Sequence, residues 1–589
     1  MQTRNRKLVA LPATLAVFTL LPGLPAQDAR NTNTPNTDTK YSMPEYKTVA
    51  AWEARRAQLR KQILHAAGLL PMPEKTPLNP RYYGKLDRDG YTIEKVALET
   101  MPGYYLGGNL YRPKGKTGKL PAIVRPHGHW TYGRLENQPL GSVPLQCINL
   151  ARQGYVVFAY DMVGWNDTAQ TPHDFDGPAE RLWSFGPLGL QLWNSIRVVD
   201  FLESLPDVDP SKIGATGASG GGTQTFLLTA VDDRIAYSAP VNMVSFIMQG
   251  GSPCENAPGL RIGMSNVEIA AMMAPKPMLL VSATGDWTRN LPREEFPAIR
   301  QIYELYDKAS NVEAVQFDAP HNYNKDSREA VYTFFGKHVL GNSGKISERN
   351  AHMEKLQDML VFHGRSLPEN ALSYDRLFEQ WKEMSRKQFA QIRDLALLRE
   401  RLRLAFAAAW PEKVTLAGGA LQREGAGDRV PAAWTPGQGT PVLYLHPEGI
   451  AAARNSKEVA ALLAAKRPVL LIDAFQTGSA KASRDRSHRH FLTFNVSDDA
   501  ARVQDVLTAL RYLESTGAGQ IEVAGEGTGL LWGLFAAAIA PEKVHLQKLP
   551  SFRGADADYI DHFFVPHIQR AGGLEAALRL TEGRRPPVK

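Results

Sequence analysis

The chain has 589 residues, too many for one ordinary hydrophobic core, so two or three domains are expected. Hydrophobic residues make up 43% and charged residues 22%, a globular balance with no dominant low-complexity tract. The net charge of +8 is mild, three of its positive groups fall within the first seven residues, and no stripe of Lys and Arg interleaved with aromatics follows, so nucleic acid is excluded as the expected partner.

Arg4, Arg6 and Lys7 precede an apolar run, Leu8 to Leu24, broken at Pro12 and followed by the small Ala26. This is the pattern of a cleaved secretory leader over residues 1–26, and it predicts a secreted or periplasmic protein. The run is short for a span of about 20 residues, and no other segment is long and apolar enough, so no stable membrane span is expected after processing. The only cysteines, Cys147 and Cys254, leave a disulfide open.

Residues 27–45 are rich in Asn, Thr and Pro and read as lacking order. A charged helix is expected from about Thr48 to Ala67, then two strands, Tyr91 to Leu98 and Tyr104 to Tyr111, around a Pro102-Gly103 turn. A regular alternation follows. Strands are expected over Leu120 to Arg125, Tyr155 to Tyr160, Lys212 to Thr216, Ile235 to Val241, Met278 to Ser282 and Val312 to Phe317. Helices fall between them and after the last, over Leu145 to Arg152, Leu190 to Leu205, Gly222 to Val231, Val267 to Met273, Phe296 to Ala309 and Ser327 to Leu340. Short apolar strands separated by helices predict a mostly parallel sheet covered on both faces. The first domain is therefore assigned to 27–345.

Residues 346–430 are charged, mostly helical and poor in strand formers, and read as a helical connector; Glu379 to Ala407 has amphipathic stretches suited to packing between domains. The alternation restarts over 431–589, with strands at Pro441 to His446, Pro468 to Asp473, Gln520 to Ala524 and Val544 to Leu549. Val442 to His446 matches Ile123 to His127, and Val469 to Asp473 matches Val156 to Asp161. Gly525-Glu526-Gly527-Thr528-Gly529 matches Gly217-Ala218-Ser219-Gly220-Gly221. These matches predict an internal duplication whose second copy carries Gly527 where the first carries Ser219.

The Gly217 to Gly221 run sits between an expected strand and an expected helix, the setting of a nucleophile elbow. A serine hydroxyl needs a base to become a nucleophile, and the sharp turn would raise Ser219 above the sheet with helix amides beside it. A plain Gly-rich turn or a phosphate loop are the alternatives; the run lacks the Lys-Ser/Thr ending of the latter. His321, in Asp318-Ala319-Pro320-His321, follows the last strand and is the expected base. Asp286, after the preceding strand, is the expected orienting acid, with Asp307, Asp318 and Glu313 as rivals. Gly220 and His129 N–H groups are the expected oxyanion donors, with Gly128 as the alternative to His129. His127 and His129 lack a third ligand nearby in sequence, so no metal and no cofactor are expected. Trp165 and Asn166 are candidate pocket residues, with loop packing as the competing role. Arg261 would meet an acidic substrate group or pair with Glu255. Together these readings give an α/β-hydrolase fold with a mostly parallel sheet, a helical connector and a second, degenerate hydrolase-like domain.

The motifs Arg125-Pro-His-Gly-His129, Tyr160-Asp-Met-Val-Gly164 and Gly214-Ala-Thr-Gly-Ala-Ser-Gly-Gly-Gly222, with the loops at Asp286 and His321, resemble secreted bacterial α/β-hydrolases of the acetyl xylan esterase-like group over about residues 90–340. The resemblance implies a Ser219, Asp286, His321 triad and removal of acetyl groups from polysaccharides or small acylated molecules. Glucuronoyl esterases are a related group whose elbow typically carries Arg after the serine, where this chain has Gly220. The expected function is thus a serine esterase acting on an acylated carbohydrate or small ester, with a serine peptidase or another carboxylic esterase as alternatives. The sequence leaves open the acyl group, the alcohol, the oligomeric state and the role of 431–589, for which packing, dimerisation and carbohydrate binding are the options.

Overall fold

The structure, a computed structural model, describes residues 27–585; the leader expected over 1–26 lies outside them. The first sheet has nine strands: β1 (Arg81–Arg88), β2 (Tyr91–Met101), β3 (Tyr104–Pro113), β4 (Leu120–Pro126), β5 (Val156–Tyr160), β6 (Val208–Ala218), β7 (Ile235–Val241), β8 (Met278–Gly285) and β9 (Val312–Pro320). Their order is β1-β2-β3-β5-β4-β6-β7-β8-β9. The pairs β1–β2, β2–β3 and β3–β5 are antiparallel, and all pairs from β5 onward are parallel. Parallel strands need crossovers. These are α2 (Val143–Gln153), α3 (Pro187–Ser204), α4 (Gly220–Val231), a short turn of helix at Asn266–Ala271, and α5 (Glu295–Leu305); α6 (Lys325–Val339) follows β9, and α1 (Val49–Ala66) packs outside the sheet. Local signals set these limits. Ser142 caps α2 by accepting from the Leu145 amide, and Gly154, at φ +117°, closes it in a left-handed conformation that a side chain would resist.

Alternate residues of the central strands face two different cores, as full burial on both faces requires. Ala122, Val124, Val156 and Phe158 lie in one apolar cluster, Ile123, Val157 and Ala159 in another.

The second sheet has seven strands: β10 (Val414–Ala417), β11 (Ala420–Arg423), β12 (Val430–Thr435), β13 (Val442–Leu445), β14 (Val469–Ile472), β15 (Ile521–Gly525) and β16 (Val544–Leu546). Their order, β10-β11-β12-β14-β13-β15-β16, and the sense of every pair repeat the first seven strands of the first sheet. The sheet begins at Val414, inside the span read from sequence as connector, because β10 to β12 are short strands joined by Gly-rich turns. The connector supplies α7 (Tyr374–Gln391) and α8 (Leu395–Phe406). These pack between the units as their amphipathic pattern predicts: the Trp381 indole N–H donates to the Trp183 carbonyl, and the Ser385 hydroxyl accepts from Arg570. Leu398, Leu402 and Phe406 join one continuous core with residues of both sheets; burying each such side chain contributes about 2 kcal/mol.

Residues 27–45 are ordered, contrary to the reading of their composition. Arg30 pairs with Asp505 at 2.6 Å, the Gln249 amide donates to the Thr37 carbonyl, and Asn495 donates to the Pro35 carbonyl. The segment has little apolar surface of its own; its polar groups find partners on both units. Among the described residues no helix is long and apolar enough to cross a membrane.

Candidate active site

β6 ends at Ala218, and α4 begins at Gly220, so the chain must reverse within one residue. Ser219 takes that position at φ +57°, ψ −127°, a conformation strained for a residue with a Cβ and characteristic of a functional turn. The surrounding glycines permit it. A Cβ on Gly217 would lie 2.6 Å from the Pro126 carbonyl oxygen, and one on Gly221 would lie at the same distance from the same atom, so helix and strands approach backbone to backbone. The Ser219 amide donates to the Val241 carbonyl, which ties the elbow to the end of β7. The serine is partly exposed, whereas its neighbours on both sides are buried.

Asp286 and His321 follow β8 and β9 and meet there: His321 Nδ1 lies 2.8 Å from Asp286 Oδ2. Asp286 is 7% exposed, and its other oxygen accepts from the Thr288 amide and hydroxyl, which fixes the carboxylate. The Trp287 ring lies against the imidazole at 4.3 Å. The segment after β9 then folds back across the ends of the central strands. Asn242, just past β7, donates to the Asn322 carbonyl, and the Tyr323 hydroxyl bonds the Thr216 hydroxyl on β6 at 2.6 Å. This return carries His321 from the sheet's edge toward the elbow. Its Nε2 is buried and has no hydrogen-bond partner among the described residues. The rival Asp318 is exposed and accepts from Thr284; Glu313 is taken by Lys337 and His338.

Neither the Gly220 nor the His129 amide has an acceptor among the described residues. The His129 ring lies over Gly220, whose Cβ would come within 2.7 Å of the ring's Cε1. Glycine at 220 therefore makes room for that imidazole, which is why an arginine in this place has no space here. Trp165 is partly exposed; its indole donates to the Trp130 carbonyl, and its ring packs edge-on against His173 at 4.3 Å. Asn166 turns at φ +40° and donates to Asp161, so it holds its own loop. Arg261 does not face a pocket. It is 1% exposed, and its guanidinium donates to Asn266 Oδ1, Asn256 Oδ1 and the Glu255 carbonyl within the insert after β7. Nor does it pair with the Glu255 carboxylate, which accepts from Thr223 and from the amides of Gly251 and Ser252.

Sequence reasoning did not anticipate a group that assembles around His129. Its Nε2 lies 3.3 Å from His173 Nε2 and 3.2 Å from Cys254 Sγ. Burial lowers the basicity of both imidazoles, that of His173 to about 4, so both are neutral near pH 7. Cys254 and Cys147 are both buried free thiols, with no disulfide between them. His127 stands outside this group, its Nδ1 against the Gly128 carbonyl and its Nε2 accepting from the Met162 amide, and the neighbours of His129 come from other loops.

Residues 85–248 match the family model described as acetyl xylan esterase (AXE1). A solved structure named methylesterase BT1017 is 34% identical, with a TM-score of 0.51, over 59% of this chain and 78% of that one. The Bacillus subtilis protein YtaP, named as a hydrolase, is 26% identical over 260 residues, 41% of this chain and 83% of its own length. The AXE1 match carries β2 to β7 and the elbow, and with 34% identity across 78% of the methylesterase the chain belongs to that protein's family and is a carboxylic-ester hydrolase.

Proposed function

We propose that the protein is a serine esterase in which Ser219, His321 and Asp286 act together on an ester of a carbohydrate, and that this ester is a methyl ester. The observation that carries the reading is the Asp286–His321 pair, held at 2.8 Å with His321 Nε2 buried and unpaired on the segment that folds back over the elbow. His321 Nε2 takes the Ser219 proton as Oγ attacks the ester carbonyl. The Gly220 and His129 amides receive the oxyanion. Collapse of the tetrahedral intermediate breaks the bond to the alcohol, which leaves with the proton from His321. Water then attacks the acyl-enzyme with the same base, restoring the serine and freeing the carboxylate. The name of the 34% identical relative favours a methyl ester, whose alcohol is methanol. The family model favours the second reading, an acetyl ester, in which the sugar is the alcohol and acetate the product.

Incubating the enzyme with methyl-esterified uronate oligosaccharides, acetylated xylo-oligosaccharides and short peptide amides, with Ser219→Ala as blank, separates these readings. Methanol release from the first substrate is expected. Acetate release alone would move the assignment to acetyl esters, and cleavage of amides in preference to both would overturn it. The basic, apolar and small-residue order of the first 26 residues supports a site of action outside the cytoplasm; finding the exported protein with Gln27 at its N-terminus would test this.

A further inference from the structure

We propose that His129, His173 and Cys254 form a binding site for a thiophilic divalent cation, Zn2+ by ligand class, beside the Ser219 elbow. The three donors come from three separate loops: His129 after β4, His173 after β5, and Cys254 from the insert after β7. Nothing in the chain's local order brings them together, yet their ligand atoms all lie within 4.8 Å of one another. The two distances at His129, 3.3 Å to nitrogen and 3.2 Å to sulfur, are near the edges of a tetrahedron around zinc. Bonds of about 2.0 Å to nitrogen and about 2.3 Å to sulfur give edges of about 3.3 Å and about 3.6 Å.

The proton inventory supports the same reading. His173 Nδ1 lies 2.7 Å from the Val163 carbonyl, so that nitrogen carries the hydrogen and Nε2 turns its lone pair to the cluster. A backbone carbonyl holding the far nitrogen is the usual support of a metal-binding imidazole. Trp165 packs against both rings, at 4.3 Å from His173 and 5.8 Å from His129, and fixes their planes. The buried sulfur of Cys254 has a second soft atom nearby, Met162 Sδ at 3.9 Å. Both imidazoles are partly exposed, which leaves the cation a way in. One thiolate and two imidazoles select zinc over magnesium or calcium, which take oxygen ligands. Binding displaces the Cys254 proton to solvent. The bound ion would tie three loops together and brace the His129 loop against Gly220. This inference does not rest on the serine chemistry, because it concerns different side chains.

The test uses the full-length protein, stripped with a chelator and titrated with Zn2+ by calorimetry and with Co2+ by absorption. One equivalent of Zn2+ is expected, with a rise in the thermal midpoint, and Co2+ should give a thiolate charge-transfer band. Cys254→Ser should abolish the band and weaken Zn2+ binding at least about 100-fold, and His173→Ala should weaken it similarly. Cys147→Ser, a buried cysteine outside the cluster, should leave both unchanged. The metal-free variants should unfold at the midpoint of metal-free wild type, which separates lost ligation from lost folding. Absence of stoichiometric binding, a cobalt complex without the thiolate band, or equal binding by wild type and Cys254→Ser would overturn the proposal.

Discussion

The two α/β units have the same first seven strands in the same order and sense, yet only one of them has a serine at its elbow. The strand registers make the comparison residue by residue. Ile123 stands opposite Gly214, and Val442 stands opposite Glu522, so counting five residues on from each strand position reaches Ser219 in one unit and Gly527 in the other. The glycines around each elbow do the same work. A Cβ on Gly221 would meet the Pro126 carbonyl at 2.6 Å, and a Cβ on Gly529 would meet the Leu445 carbonyl at 2.7 Å, at equivalent places on β4 and β13. Even the left-handed turn persists, at φ +57° for Ser219 and φ +51° for Gly527. Among the described residues the second unit lacks what the proposed site uses: the hydroxyl, and strands equivalent to β8 and β9, whose ends carry Asp286 and His321. Packing of strand on helix maintains the bend; the proposed chemistry depends on side chains that packing does not require.

The largest expected effect is at the elbow that has the hydroxyl. Ser219→Ala should lower turnover on the order of 10^5-fold while leaving the thermal midpoint unchanged, because the covalent route vanishes and the backbone turn stays. Steady-state assay with mass spectrometry of a phosphonate adduct would check both rate and site. Next is the strand the second unit lacks. Asp286→Asn should keep the hydrogen bond but present the wrong imidazole tautomer, lowering kcat by about 10^4-fold with little change in KM. A loss below tenfold would mean that His321 is oriented by something else.

A third prediction concerns how the units are joined. His567 of the second unit is buried between them, where the Ser184 hydroxyl donates to its Nδ1 and its Nε2–H donates to the Pro258 carbonyl. Burial lowers its pKa to about 4, against about 6.5 in an unfolded chain. The folded state therefore resists protonation that the unfolded state accepts. Stability from this group is complete above pH 6.5 and is lost as pH falls toward 4, by about 3 kcal/mol. Urea unfolding at pH 7.5 and pH 4.5 should show the loss in wild type and a smaller one in His567→Gln. Equal pH dependence in both would remove His567 from this role.

Much of the first unit was legible because its central strands are buried on both faces and read as short apolar runs between helices. The elbow was legible because Gly217, Ser219 and Gly221 stand at fixed spacing in one loop. Other features depend on distance. β10 to β12 escaped notice because they are short, β10 at the sheet's edge has alternate residues in solvent, and the Gly-rich turns between them look like loop. The order of residues 27–45 rests on partners more than 200 residues away, such as Asp505 and Asn495. His173 and Cys254 lie 44 and 125 residues from His129, a separation no local spacing rule spans. Arg261 misled for the converse reason: an arginine in a polar insert reads as a ligand for substrate, although Asn256 and Asn266, five residues to either side, occupy it within an irregular loop that no periodicity describes.

The smallest expected effect sharpens the comparison most. Gly527→Ser, placed in the Ser219→Ala background, returns the missing hydroxyl to the second elbow and should restore no turnover. A histidine is nearby, since His446 follows β13, but it occupies the place of His127 rather than that of His321. The residue before the glycine, Glu526, is held by the Tyr444 hydroxyl at 2.5 Å and, among the described residues, makes no hydrogen bond to an imidazole, the Nδ1 of His446 accepting from the Glu448 amide. The substitution should cost about 1 kcal/mol, because a side chain at φ +51° is strained and its Cβ would meet Pro447 at 3.2 Å. The readouts are the urea midpoint and phosphonate labelling at position 527. Labelling there would mean that the bend alone activates a hydroxyl, and the acid and base of the first unit would lose their claim to be necessary.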